Sequence, residues 1–467
     1  MRIRTHVLGC LVAASFAVLS QAAFAEPSQD SEPSEIEASK HELLEMQRDY
    51  EMRMHKLEER VQAAEQRAEQ AAAQTADGVE TAPAADAQSE DATLMQRASD
   101  AWAGVSRAFN PSISAILQGR LAYLQGGEGE RWLSGFPLGG MTDRGHEGIS
   151  LGESEVVFSA NVDDKLYGFL DVSFDQDEIG VEEAYFSTLS LPFGLGLKGG
   201  QFLSAIGYHN DRHPHTWDFV DAPLVYEAML DTSLSDAGVQ LSWVAPTDLY
   251  FEIGGEALRG DAFPAAGAAN RGFGSGTVFA KLAGDVGESS SWKAGLSYLR
   301  ADSNGRESEA PDASPVFFDG STDLVIADLV WKWAPLGNFH ERNFTFQTEY
   351  MHRQDRGDVT AGAGPGRYRS GQDGFYAQGV YQFMPRWRVG LRYGQLWGDY
   401  DLEGLAPGVL AGDGSSPRRV STMLDFSNSE FSRFRLQYSF ESGGLGDDSL
   451  VYLQYILSIG SHGAHAF

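Results

Sequence analysis

The sequence predicts an all-β transmembrane antiparallel β-barrel of about 16 strands, preceded by an α-helical coiled-coil stalk. Three observations predict it. From Pro111 onward apolar side chains recur at every second position, in segments of ~10 residues, the length a tilted strand needs to cross a bilayer. Beyond residue 25 there is no run of ~18 apolar residues for a spanning helix, so only a closed barrel satisfies every backbone group in lipid. The connections also alternate between short and long.

Residues 1–25 read as a secretory signal: Arg2 and Arg4 at the start, an apolar centre from Val7 to Leu19, and Ala23-Phe24-Ala25 before Glu26. Cys10 is the sole cysteine and falls in this segment, so the mature chain has neither a disulfide framework nor a thiolate metal site. Residues 26–73 read as a periplasmic coiled coil with its core at 36–73. Ile36, Leu43, Tyr50, Leu57, Ala64 and Ala71 recur every seventh residue, with no Gly or Pro between Ile36 and Ala73. At ~1.5 Å per residue this rod is about 55 Å long, and so narrow an apolar stripe needs a partner to bury it. Residues 74–110 form a tether rich in Ala, Asp, Thr and Pro, then a short amphipathic helix on Leu94, Ala98, Trp102, Val105 and Phe109, stopped by Asn110-Pro111.

Residues 111–467 form the barrel. Phe344/Phe346/Tyr350, Trp387/Val389/Leu391/Tyr393 and Phe434/Leu436/Tyr438/Phe440 are clear period-two strands, and Leu450 to Ile459 is the last. Short connections fall at Asp163-Asp164, Pro192-Phe193, Ala245 to Asp248, Met384 to Arg386 and Ser427 to Glu430. Long ones are expected at Leu124 to Ser150, Leu203 to Asp236, Arg259 to Gly274, Arg300 to Ser321, Gln354 to Gln372 and Gly398 to Pro417. The short set belongs on the periplasmic side, with both termini and the stalk.

Composition agrees with a wall wetted on one face: hydrophobic content is 42%, aromatic content 11%, and glycines number 53. The net charge of -31 excludes nucleic acid as a partner and favours cations. Positions alternate to the apolar ones face the lumen. They carry Arg120, Lys198, Lys281, Arg388, Arg392, Arg433 and Arg435, set against Glu155, Asp171, Glu182, Glu252, Glu256, Asp328 and Glu349. The bases crowd the last strands and the first, the acids the early and middle ones, an arrangement that sets a transverse field across a pore.

The third long-side loop, Leu203 to Asp236, concentrates His209, Asp211, His213, His215, Asp218 and Asp221. Imidazole and carboxylate suit Zn²⁺ or a similar divalent ion where no thiolate exists, and Pro214 biases His213 toward extended backbone, so that His213 and His215 point the same way. His462 and His465 are a second, weaker candidate pair near the chain end.

A terminal aromatic, Phe467, is what bacterial outer-membrane barrels present to their assembly machinery, and the chain resembles that class. Signal, coiled coil and barrel together resemble the trimeric sucrose and phosphate-selective porins, the latter also in Val181-Glu182-Glu183-Ala184-Tyr185 and Leu195 to Phe202. A closer resemblance is to short proteins labelled zinc-regulated or TonB-dependent outer-membrane receptors. It rests on Ile149 to Glu155, Trp217 to Leu224, Ala245 to Leu249 and Gly460 to Phe467. These resemblances imply outer-membrane localisation, lipid as partner, a homotrimer, and passive uptake of small hydrophilic solutes with divalent metal as cargo and no required cofactor. They also imply a third loop that narrows the pore. Alternatives are a sugar or general-diffusion porin using Trp217, Phe219 and Tyr226 as a slide, or a TonB-linked metal receptor lacking a full plug, since residues 26–110 are stalk and tether. An enzyme is not expected, because no serine sits in a nucleophile context. The acidic stalk is free to touch peptidoglycan or a periplasmic partner.

Overall fold

The computed structural model describes residues 112–460 apart from 129–132, 140–144, 267–271, 311–313, 363, 406–409, 411–415 and 444–445. The expected signal, stalk, tether and short helix, together with His462, His465 and Phe467, lie outside the described residues.

Alternation makes the wall. The strands are β1 (Ser112–Leu124), β2 (Gly148–Leu151), β3 (Ser154–Asn161), β4 (Leu166–Phe174), β5 (Ile179–Thr188), β6 (Leu195–Leu203), β7 (Ser235–Val244), β8 (Tyr250–Leu258) and β9 (Ser275–Val286). They continue as β10 (Ser290–Glu309), β11 (Pro315–Trp333), β12 (Asn343–Ala361), β13 (Gly364–Met384), β14 (Trp387–Glu403), β15 (Arg418–Ser429), β16 (Ser432–Ser442) and β17 (Asp448–Gly460). Each pairs antiparallel with its neighbours in one sheet, and β1 closes it against β17, Ser114 opposite Gly460 through Leu124 opposite Leu450. Because β2 and β3 both pair with β1 and are separated only by Gly152-Glu153, they make one crossing, and the barrel has 16.

The faces are inverted relative to a soluble protein. On β16, Phe434, Leu436 and Tyr438 are each about half exposed, whereas Arg435, Gln437 and Ser439 between them are buried. Apolar groups outward and polar groups inward is the pattern of a transmembrane barrel, where lipid replaces water at the outer wall.

Two expected long connections are corrected. Arg300 to Ser321 and Gln354 to Gln372 are mostly strand: β10 runs on to Glu309, β11 begins at Pro315, and β12 and β13 meet at Ala361 and Gly364. Hydrophobic alternation fades there, but the backbone ladder does not, with Asp302 still opposite Ser321 and Asp355 opposite Ser370. At ~3.4 Å per residue and ~40° tilt, a 20-residue strand rises about 50 Å, well past an apolar band of ~25 Å. Val316, Phe318, Val359, Tyr368 and Leu410 pack together on this extension. The opposite side of the ring is low, β4 to β8 having 9 or 10 residues each.

The inward face of the tall side breaks the polar rule. Leu299, Leu324, Ile326, Met351, Tyr376 and Leu396 point into the lumen and need cover, which residues 204–234 supply.

Candidate functional site

Residues 204–234 connect β6 to β7 and are the third connection on the long-loop rim, after 125–147 and 175–178. They run inside the barrel. At the start, the Ser204 hydroxyl and the Ala205 N–H donate to the Glu256 carboxylate on β8, the latter at 2.9 Å. Gly207, at φ 65°, then passes so close to the Tyr226 hydroxyl and Glu349 of β12 that a Cβ would collide with both. Four donors end on Glu349: the N–H groups of Tyr208 (3.0 Å) and His209 (2.9 Å) and the hydroxyls of Tyr226 and Tyr376 (both 2.7 Å).

Further on, helix α1 (Leu224–Leu230) begins after Pro223 and ends at Asp231, whose left-handed backbone (φ 53°) stops it. All seven of its residues are buried. Leu224, Val225, Met229 and Leu230 cover the apolar inward face of the tall wall, each such burial contributing about 1.5–3 kcal/mol. Burial first, then the neighbouring Glu349, raise the Tyr226 hydroxyl well above its usual range, so it stays a donor.

The loop's acids face a basic wall. Arg388 on β14 donates to Asp218 (2.8 Å) and to Asp425 on β15. Arg392 pairs with Asp221, and Arg419 on β15 holds Asp221 (2.6 Å), Glu227 (2.7 Å) and Glu441 (2.8 Å) at once. From β16, Arg433 donates to the His215 carbonyl and Arg435 to the Trp217 carbonyl, each at 2.7 Å. Burial opposes ionisation of Asp221, but Arg392 and Arg419 outweigh it and hold its carboxyl well below the carboxylate range. Arg388, Arg392, Arg433 and Arg435 therefore clamp the loop rather than forming a free basic ladder.

The loop's imidazoles face an acidic wall. His213 has extended backbone (φ -66°, ψ 147°) before a 3₁₀ turn at Pro214–Thr216, and the His213 and His215 rings lie stacked 5.7 Å apart. His215 Nδ1 is 2.8 Å from Glu155 Oε1 on β3, and His213 Nε2 is 3.0 Å from Glu183 Oε2 on β5. Asp171 of β4 and Glu182 of β5 approach His213 from the other ring nitrogen, at 3.4 and 3.5 Å. Burial works against an imidazolium here. The carboxylates of Glu182 and Glu183, then Glu155, outweigh it and hold His213 well above the usual imidazole range.

The six loop residues expected to share a metal do not converge. His209 packs against Trp217 and Tyr226 at ring distances of 4.6 and 4.8 Å. Burial, Arg392 and Arg212 push it well below its ordinary value, leaving a neutral ring. Asp211 lies 3.5 Å from Lys281 and 3.6 Å from Arg212, and Asp218 and Asp221 are held by the arginines. Of the six, only His213 and His215 meet the wall acids. Among other lumen positions, Arg120 lies beside Tyr452, Lys198 lies over the Tyr185 ring at 4.6 Å, and Glu252 accepts from the Tyr250 hydroxyl at 2.7 Å. Arg419 and Glu183 were missed as site residues. Arg419 sits in a turn-like Pro-Arg-Arg context, and Glu183 beside Glu182 breaks strict alternation because the register shifts at Asp171/Val172.

Above the loop lies a cavity of about 740 Å³, open to the long-loop rim. Glu153, Asp175, Asp177, Glu178, Asp261 and Glu307 are among its lining carboxylates, against Arg120 and Arg419. Glu182 and Pro214 line its floor, which joins it to the histidine side of the loop.

No family model matches the chain. An uncharacterized protein of Aquifex aeolicus is 31% identical over 345 residues, 68% of this chain and 70% of that protein. Among solved structures, the outer membrane channel DcaP of Acinetobacter baumannii aligns with a TM-score of 0.47 at 12% identity, over 75% of this chain and 97% of that one. OmpT of Vibrio cholerae, an outer-membrane protein, aligns at 0.46 and 10%, over 75% and 97%. OprB of Pseudomonas putida aligns at 0.44 and 10%, over 77% and 97%.

Proposed function

We propose, for a chain that belongs to the same protein family as the Aquifex aeolicus protein, a transport function: an outer-membrane channel through which small hydrophilic solutes diffuse, cations in preference and divalent metal ions among them. The single observation that carries this reading is the inverted barrel holding a loop across its own lumen, beneath an acid-lined mouth. Apolar residues on the outer wall suit lipid, and a hollow lined by polar groups suits water and ions. The loop is the constriction, because its contacts reach β3, β5, β12 and β16. Carboxylates crowded at the mouth raise the local concentration of cations.

A sugar slide is disfavoured. Of its three aromatics, Phe219 and Tyr226 are 1% and 0% exposed, which leaves Trp217 alone on the mouth cavity. Self-association as a homotrimer through the coiled coil and barrel wall belongs to the same proposal. Its support is the heptad pattern of 36–73, and its measure is light scattering with and without those residues.

Planar-bilayer recording of the purified protein under a KCl gradient tests the channel. The expected reversal potential has the sign of K⁺ over Cl⁻ permeation, and it weakens as salt is raised. Anion selectivity, or no conductance from correctly folded protein, would refute the reading.

A further inference from the structure

Four donor atoms converge on the acidic side of the loop. Asp171 Oδ2, Glu182 Oε2 and Glu155 Oε2 lie 3.4, 3.5 and 3.9 Å from His213 Nδ1, and the four side chains can place one ligand atom each within 4.8 Å of one another. Glu155 and Asp171 are each 0% exposed. Even so, among the described residues no hydrogen bond reaches Glu155 Oε2, either oxygen of Asp171, Glu182 Oε2 or His213 Nδ1. Two other buried carboxylates of the lumen are fully engaged: Glu349 takes four donors, and Asp425 takes Arg388 and Arg435. A buried carboxylate without donors is costly, and three around one point repel one another.

We infer that this cluster is a binding site for a divalent first-row transition-metal cation, held by Glu155, Asp171, Glu182 and Nδ1 of His213. The inference rests on the channel reading for the route by which the ion arrives. Ligand atoms at ~2.1 Å from a tetrahedral ion stand ~3.4 Å apart, so the observed spacing closes onto a cation with small side-chain movements. The surrounding contacts orient the ligands. His213 Nε2 lies 3.0 Å from Glu183, and Nδ1 is the ring atom aimed at the acids, so an arriving cation takes the place of the Nδ1 proton, which leaves to solvent. Glu183 is itself fixed by the Leu203 N–H at 2.8 Å, and Glu155 is steadied by His215 at 2.8 Å. One imidazole with three carboxylates suits Zn²⁺, Mn²⁺ or Fe²⁺, where Mg²⁺ would prefer oxygen and its own water. Glu182 also lines the floor of the mouth, so the site opens toward incoming ions.

Calorimetric titration of the full chain, purified in detergent and stripped with chelator, tests this with ZnCl₂, and electron paramagnetic resonance tests it with MnCl₂. The expected result is one saturable site per chain, weakened at least tenfold in Asp171→Asn and His213→Ala and unchanged in Glu252→Gln. Heat-modifiable gel migration establishes that each variant is a folded barrel. Should Asp171→Asn fail to fold, Glu182→Gln at the cluster's open edge reports the same loss. Absence of a saturable site, binding unaltered by these variants, or displacement by equimolar MgCl₂ would overturn the assignment. Cation-selective conductance without metal binding refutes the site and leaves the channel, whereas metal binding without conductance refutes the channel and leaves the site.

Discussion

His209 shows how one residue type takes two opposite roles within five positions of chain. Both His209 and His213 were equally plausible ligands in the sequence, because composition and spacing do not reveal what a lumen wall puts opposite each ring. The wall puts acids opposite His213. Around His209 it puts Arg392, with Tyr376 and Glu349 nearby, and the loop itself adds Arg212, Asp221, Tyr226 and Trp217. The neutral ring has a consequence for loop docking. Its value is depressed when the loop is seated and returns to about 6.5 when the loop is free, so below that pH the free loop gains a proton that the seated loop resists. The stabilisation is complete above about pH 6.5 and is lost as pH falls. Hydrogen exchange over residues 204–234, corrected for intrinsic rates, is expected to accelerate between about pH 7.5 and about pH 5. His209→Phe keeps the aromatic packing and removes this titration, so the acceleration shrinks; an identical pH response in the variant would contradict the assignment.

At the level of the element, the loop is a charge-matched crosspiece. Its imidazole edge faces β3 to β5, its carboxylate edge faces β14 to β16, and its apolar helix lies on β12 to β14. The residues of the first two edges were visible as a His- and Asp-rich run, but read from sequence they gather into one metal set and are not divided between an acidic and a basic wall. Helix α1 was not legible, because seven residues apolar on every side carry no helical period and are too short to part from a buried strand. Pro223 before the run and Asp231 after it were the available signals. The clamp is concentrated in Arg419, 2% exposed and bound to three carboxylates. Arg419→Met strands those carboxylates and is expected to weaken loop docking by about 3–5 kcal/mol. Arg419→Lys does not restore it, since an ammonium cannot reproduce the forked contacts to Glu227 at 3.0 and 2.7 Å. Trypsin cutting after Arg212 in folded protein reads the release, and resistance equal to the parent in both variants would show that the clamp lies elsewhere.

Across the whole molecule, strand number, closure and the position of the third long-side loop were readable because lipid enforces strict alternation at the outer wall. Wall height was not. Where β10 to β13 leave the apolar band, lipid no longer selects the outer face and Val316, Phe318, Val359 and Tyr368 are buried together instead, so the apolar-out pattern loses its meaning, although pairing continues to Glu309 opposite Pro315. The crosspiece adds a further property, which concerns time rather than shape. Val220 meets Gln437 at a separation of 217 residues, and His215 meets Arg433 at 218. Strand β16, which carries both partners, is among the last three strands of the chain, so the loop cannot seat against it until those strands have formed. The expected order is a cylinder of wide bore first and a seated crosspiece afterwards. In refolding from urea into detergent, heat-modifiable migration should appear before residues 204–234 become shielded from protease, and simultaneous appearance would show that bore and ring form in one step. On the proposed channel reading, a chain caught in that interval would pass larger solutes than the finished molecule does.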